Sequence, residues 1–355
     1  MVRDKLCLGI DIGASSIKLC QLNRTRHALT LERYGVVPLP SDTIVDGSLM
    51  NSARVVESLR ELVRTHKVRN RRVALSISGH AVIIKKISLP RMTRKELEIS
   101  MQWEAAQFIP FDIKDVYLDV QIVGPESQEQ GQGQGQMDVV LVAAKRDFVN
   151  DYTSVLQEAG LEPVICDVDA FAVETVYTAN YGPSLDKTIA LVHVGASKTS
   201  INILAGGISS FTRDLTLGGN QFTEELKKTL HLSQEEAEEL KLGTLEGERG
   251  QSLASGAETT LAQVAQSLTG DIQRSLDFHT ASSGDPAPSI LYLSGGSARM
   301  PALADALRQR LQIEVDILEP FRRLEAPGFD AEFLRAAGPA AAIAVGLALR
   351  FPGDA

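Results

Sequence analysis

Residues 11–22 read DIGASSIKLCQL and residues 193–204 read HVGASKTSINIL, with Gly-Ala-Ser at the same place in each. Both stretches read as strand, tight glycine turn, strand. Two such units in a chain of 355 residues point to a duplicated half-domain, the two copies facing each other. Strands and helices alternate through most of the remaining sequence, the pattern of an α/β protein. The length suits two domains with a lesser module.

Working outward from the first copy, strands are expected at 6–12 and 17–22 and a helix at 54–65, where Val55, Val56, Leu59, Leu62 and Val63 share one face. Further strands follow at 73–77 and 82–87, and Pro90 breaks the pattern. Leu97, Met101, Ala105 and Phe108 mark a helical stripe ended by Pro110. The segment 125–136, PESQEQGQGQGQ, is polar and of low complexity, which suits a loop at the tip of a hairpin joining 116–123 to 137–143. A helix at 147–159 is closed by Gly160 as C-cap, and 182–186 forms the linker into the second half.

Hydrophobic residues make up 44% and charged residues 23%, a globular mix. A net charge of −9 speaks against nucleic acid as a partner, because phosphate contacts require a basic surface. The chain has no uninterrupted apolar run of about 18 or more residues, and its start lacks a signal-peptide pattern, so a cytoplasmic location is expected. Cys7, Cys20 and Cys166 lie in apolar runs without metal-ligand spacing and read as reduced core residues.

A glycine turn between strands presents backbone N–H groups to an anion. In the first turn, Gly13-Ala14-Ser15-Ser16 supplies the close approach and hydroxyl donors, and Lys18 either adds charge or lies along the outer strand face. Gly195-Ala196-Ser197-Lys198-Thr199 offers the same set from the other copy. Facing each other, the two turns would clamp one nucleotide's phosphates, with Asp11 holding water on a Mg²⁺ ion. Taken singly, each turn reads as an ordinary hairpin. A third glycine turn, Ser294-Gly295-Gly296-Ser297, follows a short apolar strand at 290–293 and precedes a helix opened by Pro301. Such a turn lets a base or sugar approach the backbone. Glu238 and Lys241, three apart on a helix capped by Ser233 and Glu236, are candidates for the ribose; from spacing alone they equally form a surface ion pair.

The order of these pieces resembles the actin, hexokinase and chaperone-ATPase superfamily. It runs from the phosphate turn at 9–13 through a connecting helix at 167–178, the turn at Gly195 and the adenosine turn at 293–296 to a small-residue helix at 340–347. The resemblance implies a two-lobed actin-like (ribonuclease-H-like) fold with an inserted subdomain, binding ATP and Mg²⁺. Within that superfamily the chain is similar to the PilM family along nearly its whole length. The specific stretches are ISLPRM at 87–92, WEAAQFIPF at 103–111, LVAAK at 141–145 and AGLEP at 159–163. The division implied is 1–79 first lobe, 80–165 inserted partner-binding subdomain, 166–188 connecting helix and linker, 189–225 second lobe, 226–288 helical nucleotide-binding subdomain, 289–335 second lobe continued, and 336–355 hinge helix.

For function, the resemblance implies a scaffold that binds the N-terminal cytoplasmic segment of the membrane protein PilN and links it to the pilus alignment complex and motor ATPases. Membrane association would then be indirect, with self-association open. The partner-binding residues would lie near Met101, Trp103, Phe108, Ile109 and Phe111, each of which also suits plain core packing. Asp11 and Asp167 are the catalytic candidates, although Asp167 also suits a helix N-cap. PilM relatives usually carry aspartate where this chain has His193, which implies slow hydrolysis or none. Two rivals remain: a sugar or small-molecule kinase, for which no acceptor loop is found, and an FtsA-like filament protein, whose amphipathic C-terminal helix does not fit residues 350–355.

Overall fold

The computed structural model describes residues 6–26, 28–123, 135–245 and 247–353; residues 125–134 of the expected polar loop lie outside them. The first half comprises β1 (Leu8–Ile12), β2 (Ser16–Arg24), β3 (Leu29–Pro38), the short hairpin β4 (Ile44–Val45) and β5 (Ser48–Leu49), α1 (Ser52–Thr65) and β6 (Arg72–Ile77). Next come β7 (Val82–Pro90), α2 (Arg94–Glu104), β8 (Val116–Val123), β9 (Gln136–Lys145), α3 (Arg146–Glu158), β10 (Glu162–Val168) and α4 (Asp169–Tyr181). The second half runs β11 (Thr188–Val194), β12 (Thr199–Ala205), β13 (Ile208–Leu215), α5 (Gly219–Leu230), α6 (Gln234–Leu242) and α7 (Gly247–Ser283). It closes with β14 (Ile290–Ser294), α8 (Pro301–Leu311), β15 (Glu314–Ile317) and α9 (Ala331–Ala348).

The duplication is visible in the sheets. The first is ordered β3-β2-β1-β6-β10 and the second β13-β12-β11-β14-β15. In each, three strands pair antiparallel and two more add in parallel. Even the registers agree, Asp11 lying opposite Lys18 and His193 opposite Ser200. The third strand of each hairpin set, β3 and β13, had no counterpart in the sequence reading.

After each sheet comes a helix, α4 or α9, and the two pack against each other where small residues permit it. A Cβ on Gly346 would stand 1.9 Å from the Ala172 carbonyl oxygen in α4, and one on Gly9 would stand 2.2 Å from that of Ala344. Backbone cannot yield at those distances, so both positions require glycine. Helix α9 is long and apolar enough to cross a membrane by length and composition, yet Ala341, Ala344, Val345 and Leu347 are buried against the first sheet and α4.

Strands β7, β9 and β8 form a separate three-stranded sheet, covered by α2. Helix α2 starts with a capping box between Thr93 and Glu96 and turns Leu97 and Met101 inward. The expected insertion boundary at 165 falls inside β10, which pairs with β6 in the first lobe's sheet, and α3 packs on that lobe's core. Cys7 and Cys20 are buried as expected, but Cys166 is exposed, because β10 is an edge strand.

Candidate functional site

A cleft of about 1530 Å³ opens between the two sheets at the turn ends of β1 and β11. Its walls include Asp11 and residues 13–16 and 18 from the first lobe, and residues 195–198, Gly296, Ser297, Glu238 and Lys241 from the second. The three glycine elements and the candidate ribose pair thus meet in one open cleft, larger than the roughly 300–1,000 Å³ of an ordinary small-molecule pocket.

Both turns close in the same way. The Gly13 N–H donates to the Ser16 carbonyl at 3.1 Å, and the Gly195 N–H donates to the Lys198 carbonyl at 2.9 Å. These two amides are therefore consumed by the hairpins, and residues 14, 15, 196 and 197 form the tips that face a ligand. Thr199 turns away from the cleft: its hydroxyl donates to the Leu217 carbonyl at 2.7 Å, and the side chain is buried. Gly295 has φ +94°, and a Cβ there would stand 2.2 Å from the Val194 carbonyl oxygen, so the residue shapes the turn while Gly296 and Ser297 line it.

The lysines of the two turns behave differently. Lys18 Nζ reaches Asp11 Oδ2 at 3.0 Å within its own hairpin. Lys198 Nζ crosses the cleft to Asp169 Oδ2 at 3.0 Å and also donates to Ser78 Oγ. Asp169 accepts further bonds from Ser76 Oγ at 2.6 Å and from Ser78 Oγ. Burial alone would push its carboxyl upward, but Lys198 and the two serines hold it at about 2. A second tie between lobes runs beside it, the Gly79 N–H donating to Asp214 Oδ2 at 2.6 Å.

Asp167, the expected catalytic residue of the connecting helix, sits on β10, because α4 begins two residues later, at Asp169. Its carboxylate is held by Arg350 at 2.6 and 2.8 Å and does not line the cleft. The carboxylate that does face the cleft is Asp169, the first residue of α4. His193 lies at the end of β11 with Nδ1 3.0 Å from Ser294 Oγ. Burial drives its pKa down to about 4 against the pull of Asp11 and Asp169, so it is neutral at pH 7.

Glu238 and Lys241 form more than a surface pair. Lys241 is buried, with Nζ at 2.6 Å from Glu238 Oε2 and 3.0 Å from Thr223 Oγ1. A pair missed in the sequence, Gly218-Gly219, seats the start of α5 on the second turn. The amides of Gly219 and Asn220 donate to the carbonyls of Gly195 and Ala196 at 2.8 and 2.7 Å. A Cβ on Gly219 would stand 2.3 Å from Ser297 Oγ, and the Gly-Gly doublet ahead of an amphipathic helix was the available signal.

Among the described residues, no group of three or more His, Cys, Asp or Glu side chains gathers to hold a metal unaided. Asp11 and Asp169 are each already in an ion pair. Both carboxylates line the cleft.

Of the five expected partner-binding residues, Met101 is buried in the core of the inserted sheet, because the i, i+4 stripe of α2 faces inward, and Ile109 beyond the helix is buried in the same core. Phe108 and Phe111 pack partly against that core, Lys145 Nζ lying 4.7 Å from the Phe111 ring centre. Trp103 projects outward with 79% of its surface exposed, one helical turn from the exposed Ile99. Among the described residues β8 pairs only with β9, leaving an edge that carries the exposed Tyr117 and Ile122.

The sequence model of the family described as type IV pilus assembly protein PilM matches residues 9–351. A solved PilM–PilN type IV pilus biogenesis complex contains a chain 31% identical to this one, covering 97% of this chain and 98% of its own length, with a TM-score of 0.85. The cell division protein FtsA of Bacillus subtilis (strain 168) is 22% identical over 90% of this chain and 80% of its own. MreB 5 of Spiroplasma citri bound to AMPPNP is similar in fold, at 13% identity and a TM-score of 0.51, over 96% of this chain and 94% of its own. With two sheets of one topology around a cleft and a match along nearly its whole length, the chain belongs to the type IV pilus assembly protein PilM family.

Proposed function

We propose that this chain is a cytoplasmic, ATP-binding scaffold of the type IV pilus machinery that captures the N-terminal cytoplasmic segment of PilN and links it to the alignment complex and the pilus motors. The observation that carries this reading is the near full-length likeness to a chain of a PilM–PilN complex. Physically, the exposed Ile99 and Trp103 on the outer side of α2, and the edge strand β8, suit capture of an extended peptide, which can add main-chain hydrogen bonds and seat alternate side chains.

ATP would lie in the cleft, its phosphates between the tips at 14–15 and 196–197 and its ribose toward Glu238 and Lys241. The neutral His193 supplies no carboxylate beside the second turn, so turnover is expected below about 1 s⁻¹, the low end of ordinary enzyme rates. Asp169, fixed by Lys198, takes the place proposed for Asp167 as the acidic group of that wall.

Calorimetric titration with the N-terminal peptide of the same organism's PilN tests the partner assignment. Saturable one-to-one binding, weakened about tenfold or more by Trp103→Ala, as for an aromatic hot spot, is the expected result. Absence of binding with and without Mg-ATP would overturn it.

A further inference from the structure

The charge of the molecule reverses at the end of the first sheet opposite the cleft. The chain carries a net −9, yet residues 64–72 read RTHKVRNRR, with Arg64, Lys67, Arg69, Arg71 and Arg72 and no acid. All five are exposed, as are Arg24 and Arg26 in the turn between β2 and β3. Register places these segments together: Leu8 lies between Gln21 and Val73, so β2 ends where β6 begins.

The turn is fixed in place. Val68 is buried, Asn70 Nδ2 donates to the Leu6 carbonyl at 3.0 Å, and His66 covers Gly35 of β3. Among the described residues, none of the seven cations is in an ion pair. Acids also lie near this end among the described residues: Glu162 opposite Arg72, Glu32 accepting from Gln21 Nε2, Glu325 beside Thr30, and Glu61 one helical turn from Arg64. The exposed cations of the two turns outnumber them, which leaves a positive pole on an acidic protein.

No residue of 64–72 or 24–26 lines the cleft. The cations come from separate loops and spread across the end of the sheet, an arrangement matched to a broad, planar negative surface.

We propose that this pole docks directly on an anionic lipid bilayer. Strand β1 runs from Leu8 at the basic pole to Ile12 at the cleft, so docking points the nucleotide cleft away from the lipid. The contact adds a second membrane attachment to any made through a protein partner, and it fixes the orientation of the scaffold. Each basic residue brought to such a surface strengthens binding by about 1 kcal/mol, a factor of about five, and the effect fades within a Debye length.

The test is co-sedimentation of the full chain with vesicles of phosphatidylcholine containing about 30% phosphatidylglycerol, the anionic leaflet being what the contact requires. Binding is expected at about 0.1 M salt, absent on pure phosphatidylcholine and lost near 0.5 M salt. The double variant Arg69→Glu with Arg71→Glu is expected to bind about twentyfold or more weakly at unchanged melting temperature. Lys95→Glu with Lys228→Glu, the same charge change at exposed sites elsewhere, is expected to leave binding intact. Failure to bind anionic vesicles, or equal losses in both double variants, would overturn the proposal. So would retention on poly-glutamate without vesicle binding, which would mark the pole as a dock for an acidic protein.

Discussion

The two glycine turns that line the cleft share a backbone and differ in wiring. Each closes a hairpin through its glycine amide, in sheets of one topology and register. In the first turn the strand ends on Asp11, neutralised by Lys18 directly across the hairpin. The second strand ends on His193 instead, and its lysine has moved into the turn, where Lys198 reaches Asp169 and Ser78 of the other lobe. One turn is self-contained; the other fastens the lobes together. Duplication supplied two equivalent glycine turns, and divergence made one of them a clasp.

The largest expected effect concerns that clasp. Removing one partner of a largely buried ion pair leaves an uncompensated charge, so Lys198→Ala and Lys18→Ala should each cost about 3 kcal/mol in denaturant unfolding. Only Lys198→Ala should also open the molecule, as an increased radius of gyration in small-angle scattering. Equal opening by both variants, or by neither, would break the comparison.

A somewhat smaller effect separates the turns by pH. Because the folded pKa of His193 lies near 4 and its ordinary value is 6.5, the unfolded chain takes up a proton that the folded chain refuses in that window. Stability should fall by roughly 2–3 kcal/mol as pH drops from 6.5 to 4, and His193→Asn should remove that share of the loss. Asp169 acts lower: its stabilisation is present above its ordinary 3.8 and is lost as pH falls toward 2. A His193→Asn profile parallel to the wild type would show that the imidazole carries no such penalty.

The smallest stability effect should come from the glycines that name the motif. Cβ atoms on Gly13 and Gly195 would stand 3.3 and 3.2 Å from the nearest carbonyl oxygens, contacts that a slight shift relieves. Gly13→Ala and Gly195→Ala should each change stability by less than about 1 kcal/mol. Their effect should fall on nucleotide affinity, similarly in both, measured by titration with Mg-ATP.

Much of this arrangement was legible because it is local. Strand–turn–strand signals, the capping box of Ser233 and Glu236, Pro301 at a helix start and Gly160 past a helix end all depend on neighbours within a few residues. Asp167 and Asp169 differ by one strand-to-helix boundary, where sequence patterns give little resolution, so the cleft carboxylate was placed two residues early. Met101 was the opposite case: its spacing from Leu97 and Ala105 already marked an inward stripe, and the outward pair Ile99 and Trp103 followed from the same periodicity. The reach of Lys198 to Ser78 spans 120 residues, and no local pattern encodes it.

The measurement that tests the account most directly is calorimetric titration of the full chain with Mg-ATP, repeated on Gly13→Ala and Gly195→Ala. One-to-one binding weakened by substitution in either turn is the predicted result, because the account makes the two turns one site. Absence of saturable binding, or affinity that depends on one turn and ignores the other, would contradict it.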